Sequence, residues 1–303
     1  MTTGVALSLI HVVLAAIPCV QPPPPEKYPV KQLTNDPVQE GFPCWSPDGK
    51  TIVFSRIEVP TTEKTGLWRI PREGGTATRL TNILAEHPSY SPDGAYIVFD
   101  ADEGKSVKLI SATGGTPIRI VPESIPVYQG SNPLWSPDSA RIAFHEGWNL
   151  WVLELSTGQL TKVFAEENIV PLTTCWSRDA QTIYVVKAVR PQPWTLWTFS
   201  ADWKPKQQLT FEKDGLARYA DLSPDGALLV FTLCEGRACD LWVMPAGGGK
   251  RIQLTTDPAY DDTPRWSPDG KAIAFTSTRS GNFDIWLMEV DAAALLKELE
   301  SLK

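Results

Sequence analysis

Residues able to do chemistry are few in this chain and widely spread. It has three histidines in 303 residues. His11 lies in an apolar N-terminal run, His87 precedes Pro88 between two strand-like segments, and His145 follows Phe144 at a strand end. No second histidine stands at metal-ligand spacing from either His87 or His145. The sequence also has no Gly-x-Ser-x-Gly elbow, phosphate-binding loop or zinc signature. Both histidines read as hydrogen-bonded surface or strand-end residues, so no catalytic residue is assigned and no metal or cofactor is expected. The cysteines say more. Cys234 and Cys239 flank Glu235–Ala238 at a hairpin, a spacing that sets two thiols opposite each other and predicts a disulfide. Cys44 and Cys175 occupy the same slot in two distant repeats and read as free buried thiols. Cys19 closes the apolar run and is a candidate lipidation site.

The carboxylates form two sets. Asp48, Asp93, Asp138, Asp179, Asp225 and Asp269 each sit in a Ser-Pro-Asp-Gly turn or a worn copy of one, where Asp is a turn former rather than an acid–base group. The second set lies in the connections between repeats: Asp36 and Glu40, Glu86, Glu123, Glu166 and Glu167, Glu212 and Asp214, and Asp257, Asp261 and Asp262. Basic residues there are fewer, chiefly Lys213 and Arg218. Gathered at one end of a ring, such acids would make a field that attracts a cation or a basic segment of a partner. Asp221 and Arg265 share a slot in adjoining repeats, which predicts an ion pair near the ring's axis with a structural role.

The elements that must position these residues come from a repeat. Thr263–Val290 reads as an aromatic, a Ser-Pro-Asp-Gly turn, an apolar strand, a polar loop and a Trp-centred strand. The signature aromatic or its equivalent recurs at Trp45, Tyr90, Trp135, Trp176, Leu222 and Trp266, at spacings of 45, 45, 41, 46 and 44 residues. Six copies of four short strands predict an all-β, six-bladed propeller of antiparallel blades. Pro268 presets φ for the turn and Gly270 supplies its left-handed residue; Ser139 and Ala180 replace that glycine in blades three and four, and Arg178 replaces the proline in blade four. Trp68, Trp151, Trp197, Trp242 and Trp286 recur on the third strands as packing residues, with Lys108 in the slot in blade two.

Leu33-Thr34-Asn35-Asp36-Pro37 stands 12 residues before Trp45, as Leu254-Thr255-Thr256-Asp257-Pro258 stands 12 before Trp266. An outer strand therefore arrives before its blade, while blade six ends one strand short at Val290. The two defects cancel if the N-terminal strand completes blade six and closes the ring. Four regions result: an export signal or lipid or membrane anchor over residues 1–20, a Pro-rich linker over 21–28, the propeller over 29–291 and a helical tail over 292–303. The leader has an apolar core but no preceding Lys or Arg and no small-x-small cleavage site, so a cleaved signal, a lipoprotein-type signal and a retained anchor all stay open. Asp291 can cap the tail, whose Leu295, Leu299 and Leu302 form a stripe.

The spelling Pro-x-Trp-Ser-Pro-Asp-Gly-Lys-x-Ile-Ala-Phe, followed by Ile-Trp and an Arg-x-x-Leu-Thr-like strand, resembles the TolB-type beta-propeller repeat over Val30–Val290. With about 28 residues ahead of the outer strand, where TolB carries an α/β domain, the chain resembles a propeller-only relative. The resemblance implies a periplasmic, non-enzymatic module that binds other proteins at one mouth of its channel. A net charge of −7 and the lack of a basic stripe argue against nucleic acid. The leading expectation is an exported, monomeric, non-catalytic scaffold for a protein partner, touching membrane only through its N-terminal anchor. A propeller lyase or hydrolase is the alternative, as is a carbohydrate or small-ligand module using Trp148, Trp194 and Trp203.

Overall fold

The computed structural model describes residues 26–59, 61–102, 105–125, 131–147, 149–165, 169–189 and 192–302. Its strands form six four-stranded antiparallel sheets, each built from consecutive strands except the last. The reason lies in the repeat. In each turn the serine hydroxyl and the aspartate lock the backbone together. Ser46 Oγ donates to Asp48 Oδ1 at 2.7 Å and accepts from the Thr51 N–H at 3.0 Å, while Lys50 N–H donates to Asp48 at 3.1 Å. The same serine–aspartate bond recurs in the other five turns, so all six aspartates are consumed by turn formation. Ser139 and Ala180 adopt the turn's left-handed backbone without glycine, with φ of 60° and 56°.

The strand after each turn is buried on both faces, which is why it reads as an apolar run; Ala272–Ser277 is buried throughout. Phe54, Phe99, Phe144, Phe231 and Phe275 from five of these strands are fully buried between blades. The third-strand tryptophans are partly exposed and pack on the inter-blade clusters. Each carries a cation over its ring: Arg56 on Trp68 at 4.1 Å, Lys162 on Trp151, Lys187 on Trp197, Arg251 on Trp242 and Arg279 on Trp286.

Ring closure is as expected. The Val30–Gln32 strand pairs antiparallel with Asp284–Glu289 and completes blade six. A side-chain device repeats here. Thr81, Thr210 and Thr255 each accept, through the hydroxyl, the N–H of the third strand of their own blade at 2.9, 2.9 and 3.0 Å. Thr34 does the same for Ile285 across the closure at 2.9 Å. The tail forms a helix over Ala292–Ser301, capped by Asp291, and buries Leu295 and Leu299 against blades five and six. Leu302, expected in the buried stripe, stands past the helix end and is 40% exposed. No helix of the described residues is long and apolar enough to cross a membrane. The leader and Cys19 lie outside the described residues.

Candidate functional site

Each inner strand runs from the face carrying the inter-blade connections, here the upper face, to the Ser-Pro-Asp-Gly turns of the lower face. Four inner strands, in blades one, two, five and six, lose register at the same point, three residues before the signature position, and that of blade four slips one residue later. At that slot Phe42, His87, Asn132, Tyr219 and Thr263 all take left-handed backbone, with φ between 42° and 54°. Bulky residues rarely adopt that conformation, and a bulge re-aims the side chain it carries. Here the result is a stack of rings in the channel. Phe42 and His87 have centroids 3.9 Å apart, and Phe42 and Tyr219 have centroids 6.1 Å apart.

These rings stand between two cups. The upper cup, about 330 Å³, has Phe42 and Tyr219 at its floor and Ile57, Tyr260 and Phe283 on its walls. Two charged side chains in it neutralise each other, with Arg218 donating to Asp262 at 2.6 Å. Glu86 also lines it and makes no hydrogen bond or ion pair among the described residues. Burial raises the Glu86 carboxyl above its ordinary pKa, and the attraction of His87 does not offset this.

The predicted acids separate by environment. Glu40 is buried beneath Arg56, whose Nε lies 2.6 Å away, and burial still outweighs that pairing to push its pKa up to about 7. Asp36 pairs with Lys64 at 2.5 Å and Arg56 at 3.0 Å. Asp261 has no exposed surface and pairs with Arg279 at 2.6 Å. Asp214 accepts the Phe211 N–H at 2.8 Å, and Asp257 accepts that of Ala259 at 2.9 Å. Glu123 is exposed. Glu212 opens a short 3-10 turn over Glu212–Asp214, and Glu166 and Glu167 lie outside the described residues. The upper face therefore carries more basic partners than Lys213 and Arg218: Arg56, Lys64 and Arg279 are there too.

His87 is not a surface residue. Its Nδ1 lies 3.1 Å from Oδ1 of Asp100, a buried carboxylate that also accepts the Ser131 N–H at 2.9 Å. The signal that could have placed it is the proline after the slot: Pro43, Pro88 and Pro264 fall inside three inner strands and Pro133 directly precedes a fourth, and a proline within a strand marks a sheet edge or a bulge. His145 is buried within its strand.

The lower cup, about 290 Å³, mixes apolar lining from prolines and tryptophans with the polar side chains of His87, Ser89, Asn132, Arg178, Asp221 and Arg265. The expected tie is present: Arg265 lies 3.7 Å from Asp221 and donates to Thr174 O at 3.1 Å, while Asp221 accepts the Trp266 N–H at 2.7 Å. Cys44 also lines this cup, Cys175 is buried, and both are free thiols. Burial raises both thiol pKa values, so neither is a poised nucleophile. Cys234 and Cys239 pair directly across their hairpin, Cα atoms 4.0 Å apart, and are joined as a disulfide. Of the proposed stacking tryptophans, Trp203 is buried edge-on against Trp176 at 5.4 Å, Trp194 packs on an inter-blade cluster, and Trp148 lies outside the described residues. No group of three metal-ligating side chains occurs among the described residues.

Comparison with known proteins agrees with this architecture. The family model described as "TolB beta propeller domain" matches residues 202–298. The chain is similar to the TolB propeller. It is 32% identical over 151 residues to the Tol-Pal system protein TolB of Anaeromyxobacter dehalogenans, a match covering 49% of this chain and 33% of that protein. The chain thus spans about a third of the length of the curated relatives it matches. Among solved structures, the TolB-like fold matches a putative TolB from Agrobacterium tumefaciens at a TM-score of 0.61 and 19% identity, over 87% of this chain and 97% of that one. It also matches a gluconolactonase from Xanthomonas campestris at a TM-score of 0.68 and 14% identity, over 86% and 89% of the two chains. At such identities the structural likeness concerns the fold alone.

Proposed function

We propose that this TolB-like propeller is an exported, non-catalytic scaffold that docks a protein partner on its upper face, with a partner side chain entering the upper cup. The observation that carries this reading is the cup's makeup: aromatic walls that favour burying an apolar or basic side chain, and in Glu86 a carboxylate with no hydrogen bond or ion pair among the described residues. The likeness to a Tol-Pal system protein favours a protein partner in the cell envelope. Glu86, Glu123 and Asp257 are the acids placed to meet a basic segment, because Glu40, Asp261 and Asp262 are already neutralised by arginines.

A photo-crosslinking residue at Phe283, on the cup wall, and another at Glu289, at the lower end of its strand, test the reading in envelope extracts. Adducts from the first position alone are expected. Adducts from the second alone, or equally from both, would put the partner elsewhere.

One observation favours a second reading, a channel enzyme. His87 is oriented by a buried aspartate and faces a cup, an arrangement suited to a general base. Turnover of lactones or acidic oligosaccharides that is abolished by His87→Gln would support it.

A further inference from the structure

The lower cup is unused by a partner on the upper face, and its lining is rich in hydrogen-bond donors. Five of the six lower turns place a proline at the same position, Pro47, Pro92, Pro137, Pro224 and Pro268; blade four has Arg178 there. That exchange brings a guanidinium to the rim of the lower cup, where it makes no hydrogen bond or ion pair among the described residues. Deeper in, Arg265 spends one contact on Thr174 O and a loose one on Asp221, which leaves donors of its five-proton fork free. Asn132, whose backbone is left-handed like that of Phe42 and His87, contributes an amide without a side-chain hydrogen bond among the described residues. His87, with Nδ1 held by Asp100, keeps Nε2 for a ligand.

We propose that the lower cup is a binding site for a small organic carboxylate, anchored by Arg178 at the rim and completed by Arg265, Asn132 and His87. A carboxylate matches the planar fork of arginine through two parallel hydrogen bonds, and its two oxygens can accept from several donors converging on one space. The one carboxylate in the lining, Asp221, already has its oxygens against Arg265 and the Trp266 N–H, and these partners offset its repulsion of an anion. Asp225 sits close enough to Arg178 to feel its charge, yet its side chain is bound to Ser223 and the Ala227 N–H in its own turn. The volume, about 290 Å³, is at the small end of ligand pockets and suits an acid of a few carbons or a single acidic sugar. The Phe42, His87 and Tyr219 rings part this site from the upper cup, so it stands independently of the partner-docking reading.

Succinate is the probe, with succinamide as its neutral isostere, titrated calorimetrically into the chain at ionic strength held constant with sodium chloride. Succinate should bind and succinamide should not. Arg178→Gln should weaken succinate by about tenfold or more, the worth of a hydrogen bond to a charged group. Arg178→Pro, which restores the residue of the other five turns, should do the same while melting like the parent. Succinate should also shift the His87 imidazole resonances, a readout that a rim effect on folding would not move. The assignment is overturned by absence of succinate binding, by an equal response to succinamide or to chloride alone, or by unchanged affinity in both Arg178 variants.

Discussion

Glu40 shows how far a single residue's role can depart from its residue type. Acidic, next to a loop and assigned by sequence to the acids that would attract a basic partner, it is instead sealed beneath Arg56. Burial lifts its pKa to about 7, and burial likewise lifts Asp221 to about 6 in spite of Arg265 and the Trp266 N–H. A carboxyl whose folded pKa lies above its unfolded value stabilises the fold fully below the unfolded value, and that contribution is lost as pH rises through the folded one. The turn aspartates act oppositely. Asp48, Asp93, Asp179 and Asp225 are lowered, first by their serine hydroxyls, and Asp269 falls to about 2 because Ser267 and Arg72 outweigh its burial. Their contribution is present above the ordinary aspartate pKa and is lost as pH falls through the folded values. Melting temperature should therefore peak near pH 4–5, decline between pH 5 and 7 and fall steeply below pH 3. Glu40→Gln should flatten the decline on the neutral side. An unchanged profile in that variant would mean Glu40 does not titrate in this range. Nothing in the sequence announced the effect, since burial is set by how neighbouring blades pack and not by local spelling.

At the scale of elements the sequence was most legible where spacing repeats. The turn serines, the Leu-Thr pairs and the displaced N-terminal strand all follow from a period near 45 residues, and Thr34 takes up in blade six the role of Thr255 in blade five. The inner-strand bulge was not read, because its slot holds Phe, His, Asn, Tyr and Thr, residue types with no common preference for left-handed backbone. Only the prolines beside it carried a signal. Two measurements test the elements. Thr34→Val should cost about 1–3 kcal/mol by leaving the buried Ile285 N–H without its acceptor, and deletion of Tyr28–Asp36 should cause aggregation by exposing the edge of blade six. Denaturant unfolding and light scattering would show these effects, and an unaltered midpoint in both would mean the strand does not close the ring. Replacing Cys234 and Cys239 with Ser should cost on the order of 2 kcal/mol, small because the closed loop is short.

For the molecule as a whole, the six blades convert scattered loops into two opposed mouths of different character. The upper is aromatic and holds in Glu86 an acid with no ion pair among the described residues, and the lower mixes apolar and polar lining and holds in Arg178 an arginine with none among them. The sequence located the acids of the upper mouth without revealing that Arg56, Lys64 and Arg279 answer many of them, because those bases lie on strands and middle loops rather than in the inter-blade connections. Charge removal at Asp261 would leave the buried Arg279 with Glu26 alone, and at Asp262 would unpair the half-buried Arg218, so either change would disturb the blade before it reported on binding. The test belongs at Glu86, Glu123 and Asp257. Their field reaches about 10 Å into a solution of 0.1 M salt, enough to steer a basic segment toward the cup. With a partner in hand, the triple variant Glu86→Gln, Glu123→Gln, Asp257→Asn should associate roughly tenfold more slowly at low salt, with dissociation much less changed. The rate for the parent should fall toward that of the variant as salt is raised. Equal association rates at 20 mM and 500 mM salt in the parent, or a variant as fast as the parent at low salt, would leave these acids as solvated surface and move the search for the docking contact to the aromatic walls alone.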